Sequence, residues 1–256
     1  MKATDLSLGY DGRAIVHDVT LEIPAGALTA IIGPNGSGKS TLLRGLARLL
    51  RPLGGAVELD GTDLASYSRP ELARRLALLP QAPVTPAGLS VGDLVARGRF
   101  PHRSWYQRWG AEDERAVREA LTRVDLLDRS GDQVAELSGG QRQRAWLAMV
   151  LAQDTPYLLL DEPTTFLDLA HAVEVMDLAR SVTHDSGRTV VCVLHDLTLA
   201  ARFVDHVVVI ADGRIAASGP PVAVLTRSLL ADVFALDAEV LQVDGAPAVV
   251  PSRIRR

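Results

Sequence analysis

The chain has 256 residues, of which 47% are hydrophobic and 23% are charged, so it is long enough to bury a substantial core and polar enough to be globular and soluble. Its formal net charge of −4 gives no support for binding to nucleic acid. One cysteine excludes an intrachain disulfide and suits a reducing compartment. The sequence shows neither a signal-peptide pattern nor an apolar run that could span a bilayer. We therefore expect a cytoplasmic protein that reaches a membrane only through a partner.

The first elements are short strands around turns, predicted at residues 3–8, 19–23 and 28–32. Tyr10 lies at one of these turns, where its ring can stack on an adenine or be an isolated surface tyrosine. Both interpretations remain open from the residues alone.

Residues 33–41 (GPNGSGKST) stand between the apolar strand 28–32 and a helical pattern over 42–50. The glycines allow successive N–H groups to point at a phosphate, which also faces the positive end of the helix. Lys39, one of only two lysines, adds a compact charge, and the Ser40 hydroxyl can ligate Mg²⁺. In this context an ordinary glycine-rich turn is the weaker alternative. The predicted nucleotide-binding residues of the loop are Gly33, Pro34, Asn35, Gly36, Ser37, Gly38, Lys39, Ser40 and Thr41.

The next stretch predicts a hairpin arm over 56–59, a short helix over 70–75 and a strand over 76–79. This strand ends at Pro80 and Gln81. Because ligands of α/β sheets bind at the carboxyl ends of strands, Gln81 is a candidate site residue.

Residues 82–154 have helical rather than strand-like spacing, with an amphipathic pattern over 112–127 that places Val117, Leu121 and Val124 on one stripe. This region is predicted to be a helical insert in an α/β core. Within it, residues 97–109 (RGRFPHRSWYQRW) interleave aromatic and arginine side chains. The segment suits protein docking, nucleic-acid stacking or local loop packing, and the acidic balance of the chain favours docking.

A second anion-binding pattern begins at residues 137–144 (LSGGQRQR), which open a helix that runs to about residue 153. Ser138 is a good N-cap, and Gly139 and Gly140 present backbone N–H groups at the positive helix end. Each of the two glycine-rich loops heads its own helix. Two half-sites in one chain therefore suggest a head-to-tail pair of chains that shares two nucleotides.

The apolar strand 157–160 delivers Asp161 and Glu162 at its carboxyl end. Buried carboxylates are costly without a partner, and a Mg²⁺ ion at Ser40 would be one. Asp161 would hold this metal through water, and Glu162 would polarise the water that attacks the γ-phosphate. A strand that merely ends in acidic residues is the alternative.

The rest of the chain predicts further core elements and a C-terminal helix. A helix is expected from 169 to about 183, and a buried strand over 189–194 contains Cys192 as a small hydrophobic residue. This strand ends at His195, which can contact the γ-phosphate. A hairpin over 207–217, one helical stretch over 222–235 and a short tail complete the prediction.

Together these segments resemble, over essentially the whole chain, the ATP-binding subunits of ABC transporters. The matching motifs, in order, are Tyr10 (A-loop), residues 33–41 (Walker A), Gln81 (Q-loop), residues 137–141 (signature), residues 158–163 (Walker B), Asp168 (D-loop) and His195 (H-loop).

The resemblance implies one ABC ATPase domain of α/β class, with a RecA-like P-loop NTPase core, an antiparallel β arm and a helical subdomain. The implied divisions are 1–81 for the arm and P-loop core, 82–154 for the helical subdomain, 155–220 for the second part of the core and 221–256 for the C-terminal helix and tail.

The resemblance also implies ATP and Mg²⁺ as ligands and a homodimer with nucleotides sandwiched between signature and P-loop. Beyond the P-loop, the implied nucleotide contacts are Tyr10, Gln81, Ser138, Gly139, Gly140, Gln141 and Asp168. The implied metal-binding residues are Ser40, Gln81 and Asp161, and the catalytic residues are Lys39, Glu162 and His195.

Four longer segments resemble the corresponding segments of subunits that import ferric siderophores. They are VARGRFPH at 95–102, DEPTTFLDLAH at 161–171, VLHDLTLAARFVD at 193–205 and the tail at 233–251. The resemblance implies that the chain powers import of an iron complex, foremost a ferric siderophore, through a membrane permease at the cytoplasmic face, with a substrate-binding protein as an indirect partner. Haem and cobalamin are the alternative cargoes. A soluble ABC ATPase acting on nucleic acid or ribosomes is disfavoured by the single motif set, and a scaffold without activity by the presence of Lys39, Glu162 and His195.

Overall fold

A computed structural model describes residues 1–84, 87–103, 109–165 and 167–254. Its strands are β1 (Lys2–Tyr10), β2 (Arg13–Glu22), β3 (Leu28–Ile32), β4 (Gly54–Leu59), β5 (Thr62–Asp63), β6 (Leu76–Leu79), β7 (Tyr157–Leu160), β8 (Thr189–Val193), β9 (His206–Ala211), β10 (Arg214–Gly219), β11 (Leu236–Val243) and β12 (Ala246–Ile254). Its α-helices are α1 (Lys39–Leu46), α2 (Arg69–Ala73), α3 (Val91–Ala96), α4 (Ala111–Arg123), α5 (Gly139–Ala152), α6 (Leu169–Ser186), α7 (Leu197–Phe203), α8 (Pro221–Val224) and α9 (Arg227–Phe234). Among the helices described, none is both long and apolar enough to cross a membrane.

The chain divides into two compact units. One comprises Met1–Tyr67 together with the C-terminal part from Arg180 onward, and the other comprises Ser68–Ala179. The finer sequence-based subdivision at residues 81, 154 and 220 stays a prediction.

In the first unit, β3 is paired on both sides by parallel strands, β8 and β9, and β10 adds to β9 in the antiparallel sense. Every residue of β3 and β8 is buried, as the uninterrupted apolar runs predict for parallel strands. Cys192 in β8 is fully buried, and burial raises the pKa of its thiol to about 12. The predicted role of Cys192 as a small buried hydrophobic residue is confirmed.

The predicted antiparallel β arm is also present in this unit. Strand β1 pairs with β2 on one side and with β4 on the other, and β5 pairs with β4. The side chains of Leu6 and Leu8 in β1 are fully buried, so the arm has a core face.

The C-terminal region differs from its prediction. The single helical stretch expected over 222–235 is wrong, because Thr226 begins a new helix by accepting a hydrogen bond from the Leu229 N–H at 3.2 Å. The expected short tail forms the antiparallel hairpin β11–β12. Pro247 and Pro251 lie within β12, and prolines weaken the sequence signal of a strand.

In the second unit, β6 and β7 form a parallel pair in which Leu76 lies opposite Tyr157 and Leu79 opposite Leu160. The described residues between them are mainly helical, as predicted. On α4, Leu121 is buried and Val117 is half-buried, while Val124 is buried just after the helix ends.

A buried ion pair connects the segments on either side of residues 104–108 in this unit. The Arg99 guanidinium lies 3.0 Å from the Asp113 carboxylate and also donates to the carbonyl of Ala152 at 3.1 Å. Asp113 in turn accepts from the Gly110 N–H at 3.2 Å. The helical segments before and after residues 104–108 are thereby connected.

Candidate active site

The glycine loop 33–41 in the first unit connects the end of β3 to the start of α1, as predicted. Gly36 and Gly38 have φ values of +77° and +102°, a conformation that side-chain-bearing residues rarely adopt. A Cβ atom on Gly33 would collide with the carbonyl oxygen of Ile210 in β9. The loop backbone therefore requires glycine at these positions.

The turn between β9 and β10 is joined to the loop by a backbone hydrogen bond. The Gly213 N–H donates to the Ser37 carbonyl at 3.1 Å, and the Gly213 carbonyl accepts from the His17 N–H at 2.8 Å. A Cβ atom on Gly213 would collide with the Ile15 carbonyl oxygen. This turn is thus wedged between the glycine loop and β2.

The chemistry of the loop fits an anionic ligand. The ammonium of Lys39 is buried in the loop and donates to the carbonyls of Gly33 and Pro34, both at 2.9 Å. Helix α1 has no acidic residue in its first turn and no side-chain cap, so its positive end is not compensated there. Within the described residues, the buried Ser37 hydroxyl has no hydrogen-bond partner. These donors suit phosphate oxygens.

Tyr10 and His195 belong to the same unit as the loop. Tyr10 is 41% exposed, and its hydroxyl accepts a hydrogen bond at 3.1 Å from Arg44 of α1. His195 is exposed and follows β8, the parallel neighbour of β3. The carboxyl ends of parallel strands share one sheet edge, so His195 and the glycine loop follow the same edge.

In the second unit the structure brings Gln81 and Glu162 into direct contact. The Gln81 amide donates to Glu162 Oε2 at 2.6 Å, and the Thr165 hydroxyl donates to the same oxygen at 2.9 Å. Glu162 is buried and has a φ of +53°, which is sparsely populated for a residue with a side chain. Asp161, also buried, extends the β6–β7 pairing because its N–H donates to Leu79 at 2.8 Å.

The second predicted anion site begins α5 in this unit. The Ser138 hydroxyl accepts from the Gln141 N–H at 3.3 Å, and the Gln141 side chain accepts from the Ser138 N–H at 3.1 Å. The predicted N-cap is therefore confirmed as a reciprocal capping box. Gly139 and Gly140 form the first turn, where helix N–H groups lack intrahelical partners.

Comparison with known proteins identifies the family of this arrangement. Residues 16–165, more than half of the chain, match the family model described as ABC transporter.

The chain belongs to the ABC transporter family.

As an ABC transporter cassette it is an ATPase, and its fold is the predicted ABC ATPase fold. It is 49% identical over 248 residues, or 96% of this chain and 90% of the relative, to the Bacillus subtilis protein named Probable siderophore transport system ATP-binding protein YusV. It is 45% identical over 244 residues, or 94% of this chain and 83% of the relative, to the hemin import ATP-binding protein HmuV of Nocardia farcinica. A solved inward-facing ABC transporter described as of metal-chelate type is 26% identical, with a TM-score of 0.84 over 98% of this chain and 97% of that chain.

The site residues of the ABC cassette are divided between its two units. The P-loop residues, Tyr10 and His195 lie in the first, whereas Gln81, the signature residues, Asp161, Glu162 and Asp168 lie in the second. Within the second unit Gln81 and Glu162 are in contact. Use of one nucleotide by residues of both units stays a prediction.

Sequence reasoning missed three side chains that hold predicted site residues. Arg44 bonds Tyr10, Thr165 bonds Glu162, and His171 bonds Asp168 at 2.8 Å. Of these three contacts, only the one between Asp168 and His171 could have been predicted from the sequence, because residues three apart at the start of a helix face each other.

Proposed function

We propose that this ABC ATPase powers import of a ferric siderophore and that Glu162 orients the water that attacks the γ-phosphate. The observation that carries the mechanism is the environment of Glu162. Its carboxylate is buried at the end of β7, with one oxygen held by both Gln81 and Thr165. A general base needs a fixed orientation, and two hydrogen bonds to one of its oxygens provide it.

The first unit supplies the phosphate-binding part of the reaction. Lys39 and the N–H groups of the glycine loop bind the outer phosphates and neutralise the charge that develops on them during transfer. His195 contacts the γ-phosphate, and Tyr10 stacks on the adenine. The buried position of Lys39 among loop carbonyls supports its role, because an ammonium of low exposure retains a strong electrostatic interaction.

Mg²⁺ is the metal that suits the remaining polar residues. The Ser40 hydroxyl, the Gln81 amide oxygen and the Asp161 carboxylate are hard oxygen ligands, and Asp161 would hold the ion through water. When bound, the ion neutralises phosphate charge and orients the phosphate oxygens. Since the Gln81 nitrogen bonds Glu162, a change at the metal ligand is transmitted to the side chain that orients the water.

The second anion site acts on the nucleotide of another copy. Ser138, Gly139, Gly140 and Gln141 of one chain close over the P-loop of a second chain, and Asp168 follows them into the interface. The capping box preorganises the first turn of α5 for this contact. ATP binding closes the homodimer, and hydrolysis opens it.

The segment 97–109 is proposed to dock on a permease, and a substrate-binding protein acts through that permease. Arg99 fixes the start of the segment, and the Arg103 guanidinium lies 5.5 Å from the ring centre of Trp109. Trp105 and Tyr106 lie outside the described residues. Arginine and aromatic side chains are typical of binding hot spots, which supports docking on a protein. Docking on the permease would hold the subunit at the cytoplasmic face of the membrane. Nucleic acid is not among the proposed partners.

The cargo assignment depends on relatives, because the part of the chain that the structure describes holds no cluster of three or more His, Cys, Asp or Glu side chains that could bind a metal ion. Four subunits, named for transport or import of ferric enterobactin, achromobactin, petrobactin or iron(3+)-hydroxamate, are 43 to 48% identical to this chain. A ferric siderophore is therefore the proposed cargo. Haem is the second candidate, since the hemin-import relative is 45% identical; cobalamin follows as an untested third.

The test replaces Glu162 by Gln, which keeps the side-chain volume and removes the negative charge. We expect the purified transporter to keep ATP binding while ATP turnover falls by about a hundredfold to ten-thousandfold, the usual contribution of a general base. Glu119→Gln makes the same chemical change on the exposed face of α4 and is expected to leave turnover unchanged. Substantial hydrolysis by Glu162→Gln would refute the assignment of Glu162.

Uptake separates the cargoes. Iron supplied as several siderophores, haem and cobalamin would be offered in parallel to host cells that carry the wild-type, Glu162→Gln or Glu119→Gln chain. If Glu162→Gln abolishes uptake of iron from one ferric siderophore, the result supports the proposal and identifies the chelate. If it abolishes uptake of haem or cobalamin alone, the cargo assignment is wrong. If uptake of every compound is unchanged, the transport role is wrong.

A further inference from the structure

His171 connects two parts of the second unit that the proposed mechanism uses separately. Its ring nitrogen Nδ1 lies 2.8 Å from Asp168 Oδ1, and its backbone N–H donates to the same oxygen at 3.0 Å. A carboxylate oxygen only accepts at neutral pH, so Nδ1 carries the proton in this bond. The same two bonds hold the pKa of Asp168 below its ordinary value.

The other edge of the ring lies against the signature. A Cβ atom built on Gly140 would lie 2.9 Å from His171 Cδ2 and 3.3 Å from Nε2, so a ring at 171 and a side chain at 140 compete for one space. Gly139 has open space at the corresponding position. With the imidazole in this position, residue 140 has no room for a side chain unless the ring moves.

Two further contacts attach α5 to neighbouring segments of this unit. The Gln143 amide donates to the Pro163 carbonyl at 3.0 Å, and Arg144 lies 3.5 Å from Glu174 of α6. Of these residues, His171 is the one whose side chain contacts both the first turn of α5, at Gly140, and Asp168. The other two contacts attach α5 to the turn after β7 and to α6, and neither of them involves Gly140 or Asp168.

We propose that His171 is a positioning residue that sets the signature glycine Gly140 against Asp168, so that both reach the second copy's nucleotide as one rigid group. This inference rests on the proposed nucleotide-sandwich dimer. A group fixed before association loses little conformational freedom on closure, so the contact strengthens ATP-driven dimerisation. It makes no contribution to ATP binding by the monomer.

The test measures ATP-driven dimerisation of the full chain in the Glu162→Gln background, by light scattering over a range of concentrations. His171→Ala is expected to raise the dimer dissociation constant about tenfold, within the range of coupled neighbouring groups. Affinity of the monomer for a fluorescent ATP analogue should stay the same. His184→Ala is the matched control, because His184 is also on α6 and also pairs with an aspartate, Asp205 at 3.2 Å.

Two conservative variants separate the halves of the contact. His171→Asn can keep the bond to Asp168 without the ring against Gly140, and His171→Phe keeps the ring without the bond. We expect both to weaken dimerisation by less than His171→Ala does. Every variant retains the backbone N–H at 171 and its bond to Asp168, so loss of helix capping does not explain the effect.

The outcomes are distinguishable from failure of the proposed function. If the Glu162→Gln parent does not dimerise with ATP, the sandwich itself is wrong, and this inference is lost with it. If the parent dimerises and His171→Ala matches it, only the role of His171 is wrong. A matching loss of monomer ATP affinity would also overturn the inference, since it would indicate a general structural role.

Discussion

Replacing Arg99 by Met tests how the docking segment is held. The Arg99 side chain is 3% exposed and the Asp113 side chain 12%, so the substitution leaves a largely buried carboxylate without the guanidinium that bonds it directly. Breaking a buried ion pair by removing one partner costs about 3 to 5 kcal/mol. We expect the lower end, about 3 kcal/mol, because Asp113 keeps the Gly110 N–H and some contact with water.

The pH dependence of this loss has a definite sign. Burial opposes ionisation of Asp113, but the hydrogen bonds from Arg99 and Gly110, with the charges of Arg99 and Arg103, hold its pKa below the ordinary value. A lowered carboxyl pKa stabilises the folded state fully above the ordinary aspartate pKa, and this stabilisation is lost as pH falls through the folded-state pKa. The difference between wild type and Arg99→Met should therefore shrink on acidification.

Urea unfolding followed by hydrogen exchange gives the free energy and its location. Exchange should quicken in α4 and at the end of α5, the helices that Arg99 joins. Arg115→Met removes an exposed pairing with Glu119 at 3.8 Å and should cost less than about 1 kcal/mol. A loss below about 1 kcal/mol for Arg99→Met at neutral pH would refute the reasoning.

Two other predictions concern the glycine loop and the docking segment. Gly213→Ala should destabilise the protein and lower its ATP affinity, since the new methyl meets the Ile15 carbonyl under the loop; Gly61→Ala has a similar φ, +76°, but open space, so it should cost only about 1 to 2 kcal/mol in unfolding and leave ATP affinity unchanged. Equal ATP affinities for the two variants would contradict the supporting role of the turn. Trp105→Ala combined with Trp109→Ala should weaken co-purification with the permease while ATP binding by the isolated subunit persists; intact co-purification would dispose of docking.

The core strands were predictable because their signal is local. The apolar runs Leu28–Ile32, Leu76–Leu79 and Tyr157–Leu160 coincide with β3, β6 and β7, since strands buried on both faces are apolar throughout. The hairpin β11–β12 could not be predicted in this way, because prolines and mixed polarity in its sequence are typical of an irregular tail.

The positions of the motifs were predictable, but their mutual contacts were not. Gln81 and Glu162 are 81 residues apart in sequence, and their hydrogen bond depends on the parallel pairing of β6 with β7. His171 and Gly140 are brought together by the packing of two helices, and no spacing rule reports such a contact. Pattern alone identified the chemical groups; the tertiary fold determines which of them touch.

The turn at Gly213 has a consequence for the synthesis of the chain. The phosphate-binding loop is translated early, yet its shape depends on Ile210 and Gly213, and its strand β3 depends on β8 and β9. A ribosome has therefore made most of the protein before the loop acquires its supports, and such distant contacts form slowly. Nascent or truncated chains that carry the glycine loop but end before β9 should neither bind ATP nor compete for it in the cell.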